Sequence, residues 1–157
     1  MAKPTSLLVS ILLLLFFADI SKAQEVDVNQ AHRDSLNSII NQYYSLNVKV
    51  FQSNSTIEDI DNIFGLYTDD FTYIHPKYGG TYSRQDLYEG YVRNQKNGGY
   101  DGSVTDIKVI NRIVGLNAVV VEKKFIKKVN NQIVEGDSQM TLFEFKGGKI
   151  SKIFEYW

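Results

Sequence analysis

The segment "DDFTYIHPKYGGTYSRQDLYEGYVRNQ", residues 69–95, contains a strand pattern, a turn and a helix start in direct succession. Phe71, Tyr73 and His75 lie at alternate positions of this segment, and such alternation predicts one face of a β-strand. Pro76 has no amide hydrogen to donate to a neighbouring strand, so the strand is expected to end at His75. His75 is one of only two histidines in the chain. Its place at the end of an aromatic strand makes it the first candidate for a functional residue.

The turn after this strand leads into a helix. Gly79 and Gly80 provide the turn, and Ser83 followed by Asp86 is typical of a capping box at a helix N-terminus. The Asn-Gly-Gly sequence at residues 97–99 is expected to end the helix. Its buried stripe is predicted to consist of Leu87, Tyr88, Tyr91 and Val92.

Two further helices are predicted upstream. The first covers about Gln30 to Phe51, where apolar residues recur at helical spacing and only Asn47 interrupts the stripe. A break at "QSNS" follows, and either Ser55 or Thr56 can cap a short second helix. Its apolar face contains Ile57, Ile60, Ile63, Phe64 and Tyr67.

The pattern changes to long β-rich runs from residue 103 to residue 157. Turn signals at residues 115–117, 130–131 and 147–148 divide these runs into four consecutive antiparallel strands. Because helices dominate the first half and strands the second, the fold class is α+β. Long strands this close in sequence predict a strongly curved sheet that wraps the helices.

The first 23 residues have the features of a secretory signal peptide. Lys3 is followed by an apolar run from Leu7 to Ala18, which is too short to span a membrane. Small residues at Ser21 and Ala23 predict cleavage between Ala23 and Gln24. We therefore expect residues 24–157 to form a single exported domain, secreted or periplasmic, that is not attached to a membrane.

Composition excludes several classes of function. Removing residues 1–23 takes away two of the 17 basic and one of the 18 acidic residues, which leaves a formal charge near −2. No basic stripe remains to neutralise a phosphate backbone, so nucleic acid is not an expected partner. The chain has no cysteine, which excludes disulfides and thiolate metal ligands, and its two histidines are far apart in sequence. Neither a metal nor another cofactor is expected.

The order of elements resembles the nuclear transport factor 2-like superfamily, in particular its SnoaL-like small-domain branch. The resemblance is carried by "LYTDDFTYIHP" after two helices, by "YSRQDLYEGYV" as the third helix, and by the closing "GGKISKIFEYW". It implies a cone-shaped, cystatin-like roll in which three N-terminal helices pack on a strongly curved, mainly antiparallel sheet. Members of this superfamily include isomerases, dehydratases, epoxide hydrolases, cyclases and proteins without known chemistry.

The resemblance also implies candidate catalytic residues. Ketosteroid isomerase-like members have a general-base aspartate directly before a proline at the end of the first long strand, and His75 occupies that place here. The tyrosine that such members carry on the first helix corresponds to Tyr43 or Tyr44. A first hypothesis is therefore a cofactor-free isomerase, dehydratase or hydrolase in which His75 is the general acid or base.

A second hypothesis is a binding module without turnover, and it is slightly preferred. Tyrosine and tryptophan combine an apolar ring with a polar tip, which suits a pocket for an apolar or aromatic small molecule. Phe71, Tyr73, His75 and Trp157 are the predicted ligand-binding residues. The alternative for each ring is simple packing in the core.

Other residues remain open at this stage. One of the strand acids Glu122, Glu144 and Glu155 could point inward, although "EKKFIKK" around Glu122 is more typical of a solvated face. A third hypothesis is assembly as a homodimer through an outward apolar face, with Val119, Val121 and Phe125 as example members. Both faces of residues 118–129 carry Val, Ile or Phe, so the sequence leaves open which of them points outward. "NST" at residues 54–56 matches an N-glycosylation sequon at Asn54.

Overall fold

The computed structural model of the chain describes residues 29–157. The predicted signal peptide, residues 1–23, lies outside these residues. The chain divides into two units between Asp34 and Ser35, and only residues 29–34 of the first unit are described. These residues 29–34 are helical. Among the described residues no helix is both long and apolar enough to cross a membrane.

Three helices precede or interrupt the strands. Helix α1 covers residues 29–50, helix α2 covers Ile57–Phe64, and helix α3 covers Arg84–Lys96. The strands are β1 (Tyr67–His75), β2 (Gly80–Ser83), β3 (Val104–Val114), β4 (Ala118–Val129), β5 (Gln132–Glu135), β6 (Gln139–Lys146) and β7 (Lys149–Glu155). A single 3₁₀ turn, Pro76–Tyr78, separates β1 from β2.

The strands form one curved mixed sheet of seven strands in the order β2-β1-β7-β6-β4-β3, with β5 paired to β4. All neighbours are antiparallel except β1 and β7, which run parallel. The α+β class and the mainly antiparallel curved sheet are therefore confirmed. In one detail the prediction was wrong: the third strand of the expected meander is two strands, β5 and β6, separated at residues 136–138. Both pair with β4, which is long enough to hold them end to end.

Both predicted helix starts are confirmed. The Thr56 hydroxyl accepts a hydrogen bond from the Asp59 amide at 3.3 Å, and the Asp59 carboxylate accepts one from the Thr56 amide at 2.9 Å. Ser83 and Asp86 form the same reciprocal pair at the start of α3. Each pair satisfies backbone N–H groups that the first turn of a helix leaves without partners.

The core lies between the helices and the inner face of the sheet. Tyr43 on α1 packs against Phe143 on β6 with ring centroids 5.2 Å apart. Phe64 on α2 lies edge-on to Tyr67 on β1 at 5.1 Å and to Tyr91 on α3 at 5.6 Å. These aromatic contacts fix all three helices on one face of the sheet, and no helix within residues 29–157 covers the other face.

Strand β4 faces the core with the residue set that was expected to point outward. Val119 and Val121 have no exposed surface, and Phe125 is half-buried on the same inward face. The expectation that these three residues form an outward patch was wrong. Both faces of this strand carry β-branched or aromatic residues, so alternation alone could not decide which face is inward.

Candidate functional site

His75 lies where β1 ends and the 3₁₀ turn begins. Pro76 starts that turn, and Gly79 ends it with φ 109°, a left-handed conformation that favours glycine. This turn folds Tyr78 back over His75, with ring centroids 4.4 Å apart. Trp157 covers the histidine from another side, edge-on at 4.5 Å. His75 is consequently only 2% exposed, although Tyr78 and Trp157 form a thin cover above it.

Neither ring nitrogen of His75 has a hydrogen-bonding partner among the described residues. Burial lowers the pKa of the imidazole below its ordinary value of 6.5, and the Glu155 carboxylate acts in the opposite direction. The ring is therefore neutral at pH 7, with one N–H donor and one acceptor nitrogen. A buried polar group without a partner is uncommon and indicates either a cost to stability or a place for a bound molecule.

His75 borders an outer cavity of about 360 Å³ between β1, β2 and α3. One wall is the sheet and the turn, and the other is the face of α3 that bears Leu87, Gly90 and Tyr91. Asp86, Arg93 and Asn94 line its exposed rim. The aromatic residues around it are Tyr73, Tyr78, Tyr82, Tyr91 and Trp157. The volume is within the lower range of small-molecule sites.

An inner cavity of about 180 Å³ lies deeper, between α1 and the sheet. It is more enclosed than the outer cavity, and Tyr73, Tyr91 and Trp157 line both. Its remaining walls are Tyr43, Tyr44, Asn47, Phe51, Ile107, Lys123, Phe125 and Glu155. These three residues border both cavities, so a molecule in either one contacts the same rings.

A buried polar cluster forms one wall of the inner cavity. The Lys123 ammonium lies 3.0 Å from Oε2 of Glu155, and the side chains of both residues are 5% exposed or less. Thr141 accepts a hydrogen bond from Lys123 and donates one to Glu155 Oε2 at 2.7 Å. Trp157 Nε1 donates to the same carboxylate oxygen at 2.7 Å. The carboxylate is thus surrounded by donors, which is the condition for burying an ion pair.

Burial also shifts the pKa values of the cluster's neighbours. The pKa of Lys123 is lowered by burial, while Glu155 opposes that effect. The pKa values of Tyr43, Tyr44, Tyr73 and Tyr91 are all raised, and burial is the first cause in each case. These tyrosines therefore remain neutral hydroxyl groups at physiological pH. The hydroxyl of Tyr44 is buried and has no hydrogen-bonding partner among the described residues.

Most of the residues expected from the sequence lie together. Tyr73 and Trp157 line both cavities, His75 lines the outer one, and Tyr43 and Tyr44 line the inner one. Phe71 lies apart from both cavities, since its ring is 1% exposed and stacks on Tyr67 at 3.9 Å in the core. The structure thus brings candidates from α1, β1 and the end of the chain to one region.

Sequence reasoning missed Lys123. It lies within "EKKFIKK", and that run of charges was interpreted as a solvated face. The available signal was the alternation of Lys123 with Val119, Val121 and Phe125, which all face inward. Of the three strand acids, Glu155 is the inward one at 4% exposure. Glu122 instead accepts a hydrogen bond from Ser138 outside the core, and Glu144 pairs with Lys152.

A separate cleft of about 380 Å³ runs between α1 and β3. Exposed Lys49 and Asp106 line it, and Arg112 donates to the side chains of Asn37 and Asn41 within it. This solvated groove is less suited to bind a small molecule than the two aromatic cavities are. No group of three or more His, Cys, Asp or Glu side chains that could hold a metal ion occurs within residues 29–157.

Comparison with known proteins identifies the fold. No protein-family profile matches the chain, and no curated protein matches it in sequence. Solved structures do match. One is an NTF2-like protein of unknown function from Cytophaga hutchinsonii ATCC 33406, with a TM-score of 0.54 and 13% identity over 80% of this chain and 97% of the other.

Two further structures share the architecture. An epoxide hydrolase of the LEH-like type from M. tuberculosis has a TM-score of 0.53 and 16% identity, covering 82% of this chain and 83% of its own. A protein with a ketosteroid isomerase-like fold from Catenulispora acidiphila DSM 44928, in complex with trimethylamine, has a TM-score of 0.52 and 14% identity, covering 76% and 84%. The predicted resemblance is confirmed: residues 35–157 have the nuclear transport factor 2-like α+β fold. Identities this low show the fold alone.

Proposed function

We propose that the domain binds a small apolar or aromatic molecule in the outer and inner cavities beside His75. The observation that carries this proposal concerns a histidine that is only 2% exposed and borders an aromatic cavity: neither of its ring nitrogens has a partner in the part of the chain that the structure describes. A bound molecule with a donor or an acceptor would satisfy one of them. The aromatic walls supply contact area, and a few polar groups fix orientation, as in typical ligand sites. A structural neighbour that holds trimethylamine adds support for small-molecule binding by this fold.

The single tryptophan of the chain reports binding directly. Trp157 lines both cavities, and no other tryptophan contributes fluorescence. A panel of apolar and aromatic compounds should produce a saturable change in its emission. His75→Ala should weaken the best binder, whereas His32→Ala provides a control on the other histidine. Absence of any saturable change across the panel, with calorimetry in agreement, would refute the proposal.

Catalysis without a cofactor is the second candidate, and the neutral imidazole favours it. A buried histidine with a free acceptor nitrogen can remove a proton from a bound substrate near neutral pH. One structural neighbour is an epoxide hydrolase, and the alternative reactions are an isomerisation or a dehydration. Turnover of any bound compound should be lost in His75→Gln at unchanged affinity. If the wild-type protein binds compounds but converts none of them, the catalytic hypothesis is refuted and only the binding role remains.

Export is part of the proposal. The positively charged start, the short apolar run and the small residues before Gln24 support removal of residues 1–23. The mature protein is then secreted or periplasmic. N-terminal sequencing of protein recovered from the secretory compartment should give Gln24 as the first residue. Recovery of a chain that still begins at Met1 would contradict this assignment.

Assembly as a homodimer is also proposed, through the sheet face that has no helical cover. One apolar residue on each of five adjacent strands lies in register across this face: Ile113, Val120, Leu142, Phe154 and Ile74. Ile113 is 67% exposed, and Met140 beside the row is 43% exposed. Rows of this kind on an open sheet face are typical of surfaces that another molecule covers. A second copy of the chain fits this face best. Glu144 and Lys152 on the face pair with each other, so they contribute no net charge that would repel an identical surface.

A further inference from the structure

We infer that Lys123 recognises a neutral carbonyl oxygen of the bound molecule, whose carbonyl-bearing ring occupies the inner cavity. This inference rests on the proposed small-molecule binding and names the ligand class. It assigns a role to a residue that belongs to neither of the sequence-based site hypotheses. Four properties of the inner cavity support this inference: an ammonium hydrogen of Lys123 that forms no hydrogen bond, a second donor on Tyr44, the charge of the walls and the volume of the cavity.

The hydrogens of the Lys123 ammonium provide the first support. An ammonium group has three N–H donors. One is directed to Thr141 Oγ1. The contacts with the two oxygens of Glu155, at 3.0 and 3.4 Å, fit a second hydrogen shared between them. The third makes no hydrogen bond to a described residue, and three rings lie near Nζ: Tyr44 and Phe125 at 5.8 Å and Trp157 at 6.0 Å to the ring centroids. The third hydrogen is therefore available to an acceptor within the cavity that Lys123 lines.

The Tyr44 hydroxyl provides a second donor at the same wall. Tyr44 is 5% exposed, and its hydroxyl, although close to Thr141, forms no hydrogen bond with a described residue. The side chain lines the inner cavity together with Lys123, which lies over its ring. A carbonyl oxygen has two lone pairs and can accept from two donors. Tyr44 therefore adds a second hydrogen-bond donor to the residues that line the inner cavity.

The charge of the walls selects a neutral acceptor. Lys123 and Glu155 cancel each other, and burial keeps the surrounding tyrosines and His75 uncharged. A carboxylate ligand would bring an uncompensated negative charge close to Glu155 in a site of low dielectric constant, which is costly. A ketone or amide oxygen avoids that cost and still receives a hydrogen bond from a charged donor, the stronger kind.

The size of the inner cavity limits what it can hold. Its volume is about 180 Å³, and an engineered apolar cavity of about 150 Å³ binds benzene. One six-membered ring with a carbonyl substituent fits this space. A molecule in the inner cavity also contacts Tyr73, Tyr91 and Trp157, which line the outer cavity beside His75 as well.

Two probes of the same shape test the inference. Acetophenone carries a carbonyl group where α-methylstyrene carries a C=CH₂ group, and both present the same phenyl ring. Affinities of the purified protein for each are measured by calorimetry. Acetophenone labelled with carbon-13 at the carbonyl is then observed by NMR, where donation of a hydrogen bond moves the carbonyl resonance downfield. Benzoate serves as the anionic counterpart.

The variants separate Lys123 from the rest of the cavity. Lys123→Met combined with Glu155→Gln removes both charges and keeps an acceptor for Trp157 and Thr141. The matched control is Lys124→Met, because Lys124 lies on the opposite face of the same strand and pairs with Glu135. In the double variant the preference for acetophenone over α-methylstyrene should fall about tenfold or more, since a hydrogen bond to a charged donor contributes that much. The control should retain the preference.

Each possible result of these measurements either supports or overturns the inference. An equal preference in the wild type and the double variant, with no carbonyl shift, would overturn the role of Lys123 and leave small-molecule binding intact. Tighter binding of benzoate than of acetophenone would overturn the choice of a neutral acceptor. Binding of none of the three would overturn both this inference and the proposed function. If the double variant does not fold, Tyr44→Phe and the carbonyl shift in the wild type still decide the question.

Discussion

Lys123 and Glu155 form an ion pair inside the domain, with Nζ and Oε2 3.0 Å apart and neither side chain more than 5% exposed. The two residues lie on β4 and β7, which are separated in the sheet by β6. Thr141 on β6 bridges them, because it hydrogen bonds to both. Three strands are thus joined by one polar cluster at the inner face of the sheet.

The first prediction concerns the stability that depends on this pair. Lys123→Met leaves the Glu155 carboxylate buried without its counter-charge, and should lower the free energy of unfolding by about 3–5 kcal/mol. Combining it with Glu155→Gln removes the unpaired charge and should recover a large part of that loss. Urea denaturation of the three proteins provides the measurement.

Lys124→Met is the control for this experiment. Lys124 and Glu135 are 3.4 Å apart, but the pair is partly exposed, so its loss should cost less than about 1 kcal/mol. If Lys123→Met and Lys124→Met lower the free energy of unfolding equally, the buried ion pair contributes no more to stability than the partly exposed one.

The second prediction is a dependence of stability on pH that involves His75. Burial lowers the pKa of His75 in the folded protein, so the unfolded chain takes up this proton at a higher pH than the folded domain does. The free energy of unfolding should therefore decrease as pH falls below about 6.5, with a slope of at most about 1.4 kcal/mol per pH unit from this group. Glu155 opposes this pKa shift, whereas Lys123 and Lys77 reinforce it.

Urea denaturation at pH 7.5 and pH 5.5 checks this dependence. His75→Gln should lose less stability between these two pH values than the wild type, because glutamine does not titrate. His32→Gln is measured beside it as a substitution at the other histidine of the chain. A His75→Gln protein with an unchanged pH dependence would contradict the lowered pKa.

The fold was predictable from local patterns, and the polar cluster was not. Capping boxes at Thr56 and Ser83 depend on residues three positions apart, so the sequence reveals them directly. The parallel pairing of β1 with β7, in which Ile74 lies opposite Phe154, joins segments about half the chain apart. That pairing brings Trp157 to His75, and no local pattern specifies it.

Charged residues gave the most misleading signal. In "EKKFIKK" the number of charges suggested a solvated face, yet Lys123 is buried because it alternates in phase with Val119 and Val121. Its partners Thr141 and Glu155 lie on other strands. A buried charge is stable only with partners of this kind, and partners on other strands are known only once the register of the sheet is known.

The third prediction concerns the cap that positions the wall of the outer cavity. Ser83→Ala removes the side-chain acceptor for the Asp86 amide at the start of α3. It should lower the free energy of unfolding by about 1 kcal/mol, within a range of roughly 0.5–2. Gln85→Ala is the control, since it removes only an exposed contact with Glu89 on the same helix and should cost about 0.5 kcal/mol or less. Thermal unfolding distinguishes the two, and an equal effect would argue against the cap.

The last prediction tests the homodimer through the open sheet face. Ile113 is 67% exposed and lies opposite Val120 in the apolar row. Ile113→Lys should convert a dimer to a monomer, because it places a charge in an interface that two copies would bury. Ile133 on β5 is similarly exposed, at 64%, but β5 pairs only with the far end of β4. Ile133→Lys is therefore the matched control and should remain dimeric. Sedimentation velocity at micromolar concentration measures both, and a wild-type protein that sediments as a monomer would refute the proposed dimer outright.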